Sequence, residues 1–120
     1  MSPALDPSVL NKLRVAMDGS GVDLVGELIA MFLVDGPRML TEIQSAQEGL
    51  DAALLARHVH NLKGSVVNLG ASRLAAICHT VETGARAGEI ASLSELLKSL
   101  ETELQRVFLE LKAVSPQVEQ

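Results

Sequence analysis

An all-α chain folded as an antiparallel four-helix bundle, with an additional short helix at its N-terminal end, is what this sequence predicts. Three observations predict it. Hydrophobic residues make up 48% of the chain while aromatics make up 2%, with no Trp and no Tyr. The core must therefore be built from Leu, Val, Ile, Ala and Met, a palette that suits helix on helix better than sheets, which favour β-branched and aromatic residues. Apolar residues recur at helical spacing through four long segments. Short breaks separate these segments, so that neighbours in sequence pack antiparallel. The 120 residues suffice for one compact domain and not for two. The expected unit is a single domain over residues 1–120, with a helical core at about 7–113 and a flexible tail at 114–120.

The first helix is expected over residues 7–17, with Asp6 as cap and Pro7 at the tolerated first position. Asp18-Gly19-Ser20-Gly21 then breaks the chain. The second segment spans about 22–47, where Leu24, Leu28, Met31, Phe32, Met39, Leu40 and Ile43 keep a helical period. Gly36-Pro37 interrupts it, and because Pro37 removes one backbone hydrogen bond, a kink or short break is expected there. The third runs from the N-cap Asp51 to Leu69, with Gly70 placed to end it in the left-handed conformation. The fourth covers about 72–87 and stops at Gly88. The fifth covers about 92–113, with Leu93, Leu96, Leu97, Leu100, Leu104, Val107, Phe108 and Leu111 in one continuous stripe.

Composition excludes several function classes. The net charge is −5, Lys and Arg are scattered, and aromatics that could stack on bases are nearly absent, so no nucleic-acid surface is expected. No stretch is long and apolar enough to cross a membrane, and residues 1–7 lack the pattern of a signal peptide. The single cysteine, Cys78, cannot form an internal disulfide, which suits a reducing, cytoplasmic setting. No spare apolar stripe demands a dimer, and a monomer is expected.

The third segment carries the chemistry. On a helical wheel, Leu55, Val59, Leu62, Val66 and Leu69 form the buried face, and His60 lies roughly 140° from its centre, toward solvent. His58 falls near the buried edge. Ala53, Ala56, Gly64 and Val67 share the side of His60, small or apolar residues where an exposed helix normally carries charge. Gly64 costs roughly 1 kcal/mol relative to Ala in a helix interior. Its place at i+4 from His60 clears space beside the imidazole, unless it serves close helix packing instead. Lys63, at i+3, can reach oxygens of a group attached to the ring. A neutral imidazole is a competent nucleophile toward a phosphoryl donor. A ring that stands proud among small neighbours can hand the group to another protein, with Lys63 offsetting its charge. No Gly-rich nucleotide loop, P-loop lysine motif or carboxylate cluster for Mg²⁺ is present. The arrangement is that of a phosphocarrier rather than an enzyme, with no cofactor of its own.

The stretch His60-Asn61-Leu62-Lys63-Gly64-Ser65, followed by Asn68-Leu69-Gly70-Ala71 and Leu74, resembles the phosphorylation motif of histidine phosphotransfer (HPt) domains, the intermediate carriers of multistep two-component phosphorelays. Phe32-Leu33 with Pro37 and Leu40 resembles the family's second helix, and Cys78, Glu82, Ala85-Arg86 and Gly88 its fourth, so that the resemblance covers about residues 10–111. It implies phosphorylation on the outer ring nitrogen of His60, assistance by Lys63 and an open site at Gly64. Arg86 resembles a basic position near the site in some members, and could equally form an i,i+4 surface pair with Glu82. Ser65 matches the motif but faces a neighbouring helix, where a local hydrogen bond is expected. Val59, where the family often has Ala, and the second histidine, His58, are departures. The implied partners are receiver domains of response regulators or hybrid sensor kinases, which supply Mg²⁺ and the aspartate. They are expected to dock over Ala53, Ala56, His60, Gly64 and Val67, near Arg86.

Three other readings are weaker. His58 and His60 diverge by roughly 160–200° on a helix and cannot chelate one metal ion, while Cys78 lies on a buried face with Leu74, Ile77 and Val81. An interaction module that keeps the fold without phosphotransfer would use the same apolar patch, but the intact His60, Lys63 and Gly64 argue against it. A hydrolase lacks a partner for the exposed His79.

Overall fold

The computed structural model describes residues 3–6, 8, 9, 11 and 24–114. Four α-helices follow one another: α1 (Leu24–Glu48), α2 (Ala52–Asn68), α3 (Ser72–Arg86) and, after a 3-10 turn (Ala91–Leu93), α4 (Ser94–Val114). Among the described residues there is no strand. Of the first expected helix, Ser8, Val9 and Asn11 are helical, and the remainder lies outside the described residues. Asp6 caps this turn, its Oδ1 accepting from the Ser8 N–H at 3.0 Å and the Ser8 hydroxyl at 2.7 Å. The expected tail at 115–120 also lies outside the described residues, while Val114 is still helical.

The links are short because three helices end in the same hydrogen-bonded turn. The N–H two residues past the cap returns to the carbonyl five residues earlier: Asp51 to Ala46 at 3.0 Å, Ala71 to Val66 at 3.1 Å and Glu89 to Gly84 at 3.0 Å. The turn needs a left-handed residue just before that N–H, which Gly70 (φ +79°) supplies as the sequence predicts and Gly88 (φ +80°), expected only as the stop of its helix, supplies as well. After α1 the position is taken by Leu50 (φ +55°). Asp51 then opens α2, its carboxylate accepting the Leu54 N–H at 3.0 Å.

The core is aliphatic. Val25, Ile29, Ile43, Leu55, Val59, Leu62, Val66, Leu74, Cys78, Val81, Leu100, Leu104 and Leu111 are fully shielded from solvent. The predicted stripe of α4 is buried apart from the half-buried Leu96. Helix α1 runs through Pro37 without the short break that the sequence allowed, and the neighbouring Gly36 packs closely, a Cβ there coming within 2.5 Å of the Phe108 ring. Phe32 and Phe108 meet there with ring centroids 5.6 Å apart. In addition, Leu28 and Met31 are exposed with Val34, while Val25, Ile29, Phe32, Leu40 and Ile43 face the core. A spare apolar line therefore exists on α1, contrary to the sequence reading. The most extensive pairing is α2 with α3, and it positions the site.

Candidate functional site

His60 stands on the outer flank of α2 with 58% of its side chain exposed, as the wheel predicts. Its Nδ1 lies 3.1 Å from Oε2 of Glu82 on α3. Glu82 sits among Leu74, Cys78, Val81 and Ala85 on the buried face of α3, with only 9% of its side chain exposed. A carboxylate there must be charge-compensated. Lys63 Nζ donates to its Oε1 at 2.9 Å, and Arg86 donates to Oε2 through Nε at 3.0 Å and Nη2 at 2.7 Å. The Lys63 ammonium, then Arg86 and His60, hold the Glu82 carboxyl down to about 2, against the upward push of desolvation. The carboxylate is thus ionised and can only accept. The Nδ1 contact therefore requires a proton on Nδ1, which in the neutral imidazole leaves the lone pair on Nε2, the outer nitrogen.

The space beside the ring is open. A Cβ built on Gly64 meets nothing within 4 Å, so close packing within this chain does not explain that glycine. Ala53 and Val67 are exposed as expected. Ala56 is a correction: the wheel puts it among the exposed neighbours of His60, but it is 3% exposed and belongs to the core. It lies on the flank shared with Lys63, whose end reaches Glu82 of α3. A side chain that stops at Cβ on that flank is covered by the approaching helix.

The remaining candidates fall where the sequence suggests. Ser65 donates to the Asn61 carbonyl at 3.5 Å, one turn back on its own helix. His58 is mostly packed, with Nδ1 4.0 Å from Glu42 on α1, so the two imidazoles approach carboxylates on different helices. Cys78 is buried, and burial pushes its thiol up to about 12. Arg86 realises both of its alternatives at once: it pairs with Glu82, and through Glu82 it is at the site. The residue that sequence reasoning missed is Glu82 itself, read as a surface partner of Arg86. Its signal was present, since it falls beside Cys78 and Val81 on an otherwise apolar face. Among the described residues, no group of three His, Cys, Asp or Glu side chains could hold a metal ion, and no helix is long and apolar enough to cross a membrane.

A groove adjoins this surface. Leu28, Met31, Phe32, Asp35 and Met39 of α1, with Ser65 and Asn68 of α2 and Leu69, enclose about 140 Å³. Asn68 follows Gly64 by one helical turn, as Gly64 follows His60, so the groove continues the row that carries the imidazole.

The family model described as Hpt domain matches residues 27–109. The chain belongs to the Hpt domain family. It is a phosphotransfer domain of the kind used in phosphorelays. The Hpt domain is 29% identical over 94 residues to histidine-containing phosphotransfer protein 4 of Arabidopsis thaliana, covering 77% of this chain and 74% of the relative. It is 32% identical over 69 residues to histidine-containing phosphotransfer protein 1 of the same plant, covering 56% of this chain and 45% of that protein, so it spans under half of that relative's length. In three dimensions it is similar to the crystal structure of histidine-containing phosphotransfer protein B (HptB) from Pseudomonas aeruginosa PAO1. The TM-score is 0.86, with 30% identity and 98% of each chain covered.

Proposed function

We propose that His60 is the phosphorylated residue of this Hpt domain, and that its Nε2 exchanges a phosphoryl group with aspartates of receiver domains in response regulators or hybrid sensor kinases. The observation that carries the reading is the Nδ1 contact to ionised Glu82, which leaves the outer nitrogen as the nucleophile. In the accepting direction the O–P bond of the receiver's aspartyl phosphate breaks, an N–P bond forms at Nε2, and the carboxylate leaves as free aspartate. The donating direction is the reverse of the same step. Because the transition state is largely dissociative, positioning and charge stabilisation carry the catalysis. Lys63 fixes Glu82 beside the ring and supplies positive charge, and Gly64 leaves room for the partner to come into line. Mg²⁺ belongs to the receiver. The Hpt domain contributes neither a nucleotide site nor a metal site, and works as a cytoplasmic monomer.

The receiver would dock over Ala53, Gly64 and Val67 and extend onto Met31 and Val34 of α1, with Arg86 at the edge. Ala56 supports this face from beneath rather than lining it.

Incubation with a phosphorylated receiver domain is expected to label the chain with an acid-labile, alkali-stable phosphoryl group. His60→Gln abolishes the label, while His58→Gln and His79→Gln retain it. Labelling that persists in His60→Gln overturns the site. Receiver binding without any label would instead favour an interaction module that keeps the fold and has lost the transfer.

A further inference from the structure

The Glu82 carboxylate receives more donors than it needs, and they are unevenly distributed. Oε1 is taken by Lys63 alone. Oε2 receives three N–H groups: His60 Nδ1 at 3.1 Å and Arg86 Nε and Nη2 at 3.0 and 2.7 Å. A carboxylate oxygen offers two lone-pair directions, so Oε2 is oversubscribed and Oε1 is not. The two cations also differ in setting. Lys63 is 25% exposed and Arg86 is 61% exposed. Withdrawing Lys63 would strand Oε1 without a donor inside the bundle, which is costly for a buried carboxylate. Withdrawing Arg86 would leave each oxygen with one partner, Lys63 on Oε1 and His60 on Oε2.

Resting on the reading of His60 as the phosphorylated residue, we infer that Arg86 is the exchangeable cation of the site. It is held on Glu82 while the ring is bare, and moves to the phosphoryl oxygens once Nε2 carries the group, while Lys63 stays on Glu82. A dianion on the ring whose other nitrogen shares Oε2 with Arg86 competes for the same guanidinium. The planar fork of five N–H donors suits two phosphoryl oxygens as well as it suits a carboxylate. As Arg86 leaves, His60 becomes the remaining donor to Oε2, so loading the ring tightens the contact that orients it. The phosphoryl-contacting residue is thereby on α3, and Lys63, which the sequence motif puts forward for that contact, is a positioning residue that keeps Glu82 charged and in place.

The test uses the full chain, isotopically labelled on nitrogen and phosphorylated with phosphoramidate. The N–P bond of that reagent breaks, ammonia leaves, and the new N–P bond forms at His60. The Arg86 Nε–H resonance is expected to shift on phosphorylation, while that of Arg106, held on Glu103 of α4, stays. Arg86→Ala is expected to shorten the phosphohistidine lifetime about tenfold, the worth of one charge-assisted hydrogen bond to a group that loses charge in a dissociative transition state. Its melting temperature is expected to fall only slightly, because Lys63 and His60 still pair both carboxylate oxygens. Lys63→Met is expected to lower the melting temperature further, because it leaves Oε1 without a donor. An unmoved Arg86 resonance in a phosphorylated chain, or a native lifetime in Arg86→Ala, overturns the inference and leaves the assignment of His60 standing. Absence of any phosphohistidine signal in the native chain overturns both. A shortened lifetime with unchanged melting temperature in Lys63→Met, and not in Arg86→Ala, reverses the two roles.

Discussion

At the scale of the residue, Glu82 decides the chemistry of its neighbours. Its carboxyl is held down to about 2 from an ordinary 4.5, so on acidification the unfolded chain takes up this proton first. The stabilisation from ionised Glu82 is then complete above about 4.5 and is lost as the pH falls toward about 2. Glu82→Gln is expected to remove that acid slope and to cost about 2 kcal/mol near neutrality, by leaving Lys63 without its counter-charge. Urea unfolding midpoints followed from about pH 6 to about pH 2 measure both effects. Gly64→Gln is expected to fold normally, since nothing lies within 4 Å of a Cβ there. It should slow transfer from a receiver by about a hundredfold, because a displaced partner loses in-line geometry. Unfolding of that variant would mean that the glycine serves packing after all. The exposure of His60 and Gly64 was legible in the sequence because it follows from the wheel of one helix, whereas the turn of the Lys63 ammonium onto Glu82 was not. Nor were the places of Ala56 and Glu82. Both depend on how closely α3 approaches α2, and a wheel drawn for one segment contains no information about its neighbour.

At the scale of the element, the helix ends were the most legible feature. Asp51, Gly70 and Gly88 act through local geometry that the residue type nearly dictates. The end of α1 is the exception, because its left-handed position holds Leu50, an exposed leucine. Left-handed backbone costs a side-chain-bearing residue about 1–2 kcal/mol, whereas glycine there loses about 0.5–1 kcal/mol of chain entropy. Leu50→Gly is therefore expected to stabilise the fold by about 0.5–1 kcal/mol, read as a higher urea midpoint at unchanged slope. A lower midpoint would show that the leucine side chain contributes packing. The course of α1 was less legible. Pro37 allows a kink or a short break, and the helix runs through it without the break, with the rings of Phe32 and Phe108 packed around Gly36.

At the scale of the whole molecule, the bundle separates a face that is finished from one that is not. Periodicity announced apolar residues along α1 but could not say which would find a partner. Ile29 and Ile43 did, whereas Met31 and the 75% exposed Val34 did not. That unpartnered line borders the groove that continues from the row of His60 and Gly64. Val34→Glu is expected to slow phosphoryl transfer from a receiver about tenfold, as a charge set against an apolar partner must be desolvated. A surface substitution of this kind leaves the melting temperature unchanged. An unaltered rate would remove α1 from the docking face. At the end of the rod where α2 turns into α3, the backbone N–H groups of Ala4 and Leu5 both rest on the Glu110 carboxylate of α4, at 2.6 and 2.9 Å, and the Asp6 N–H rests on the Gly70 carbonyl at 2.9 Å. The segment Ala4–Leu5 and the last turns of α4 are thus clipped together at one pole. A unit built this way can be spliced into a larger protein, or circularly permuted across that pole, with the flank that bears the imidazole left free to turn toward whatever it serves.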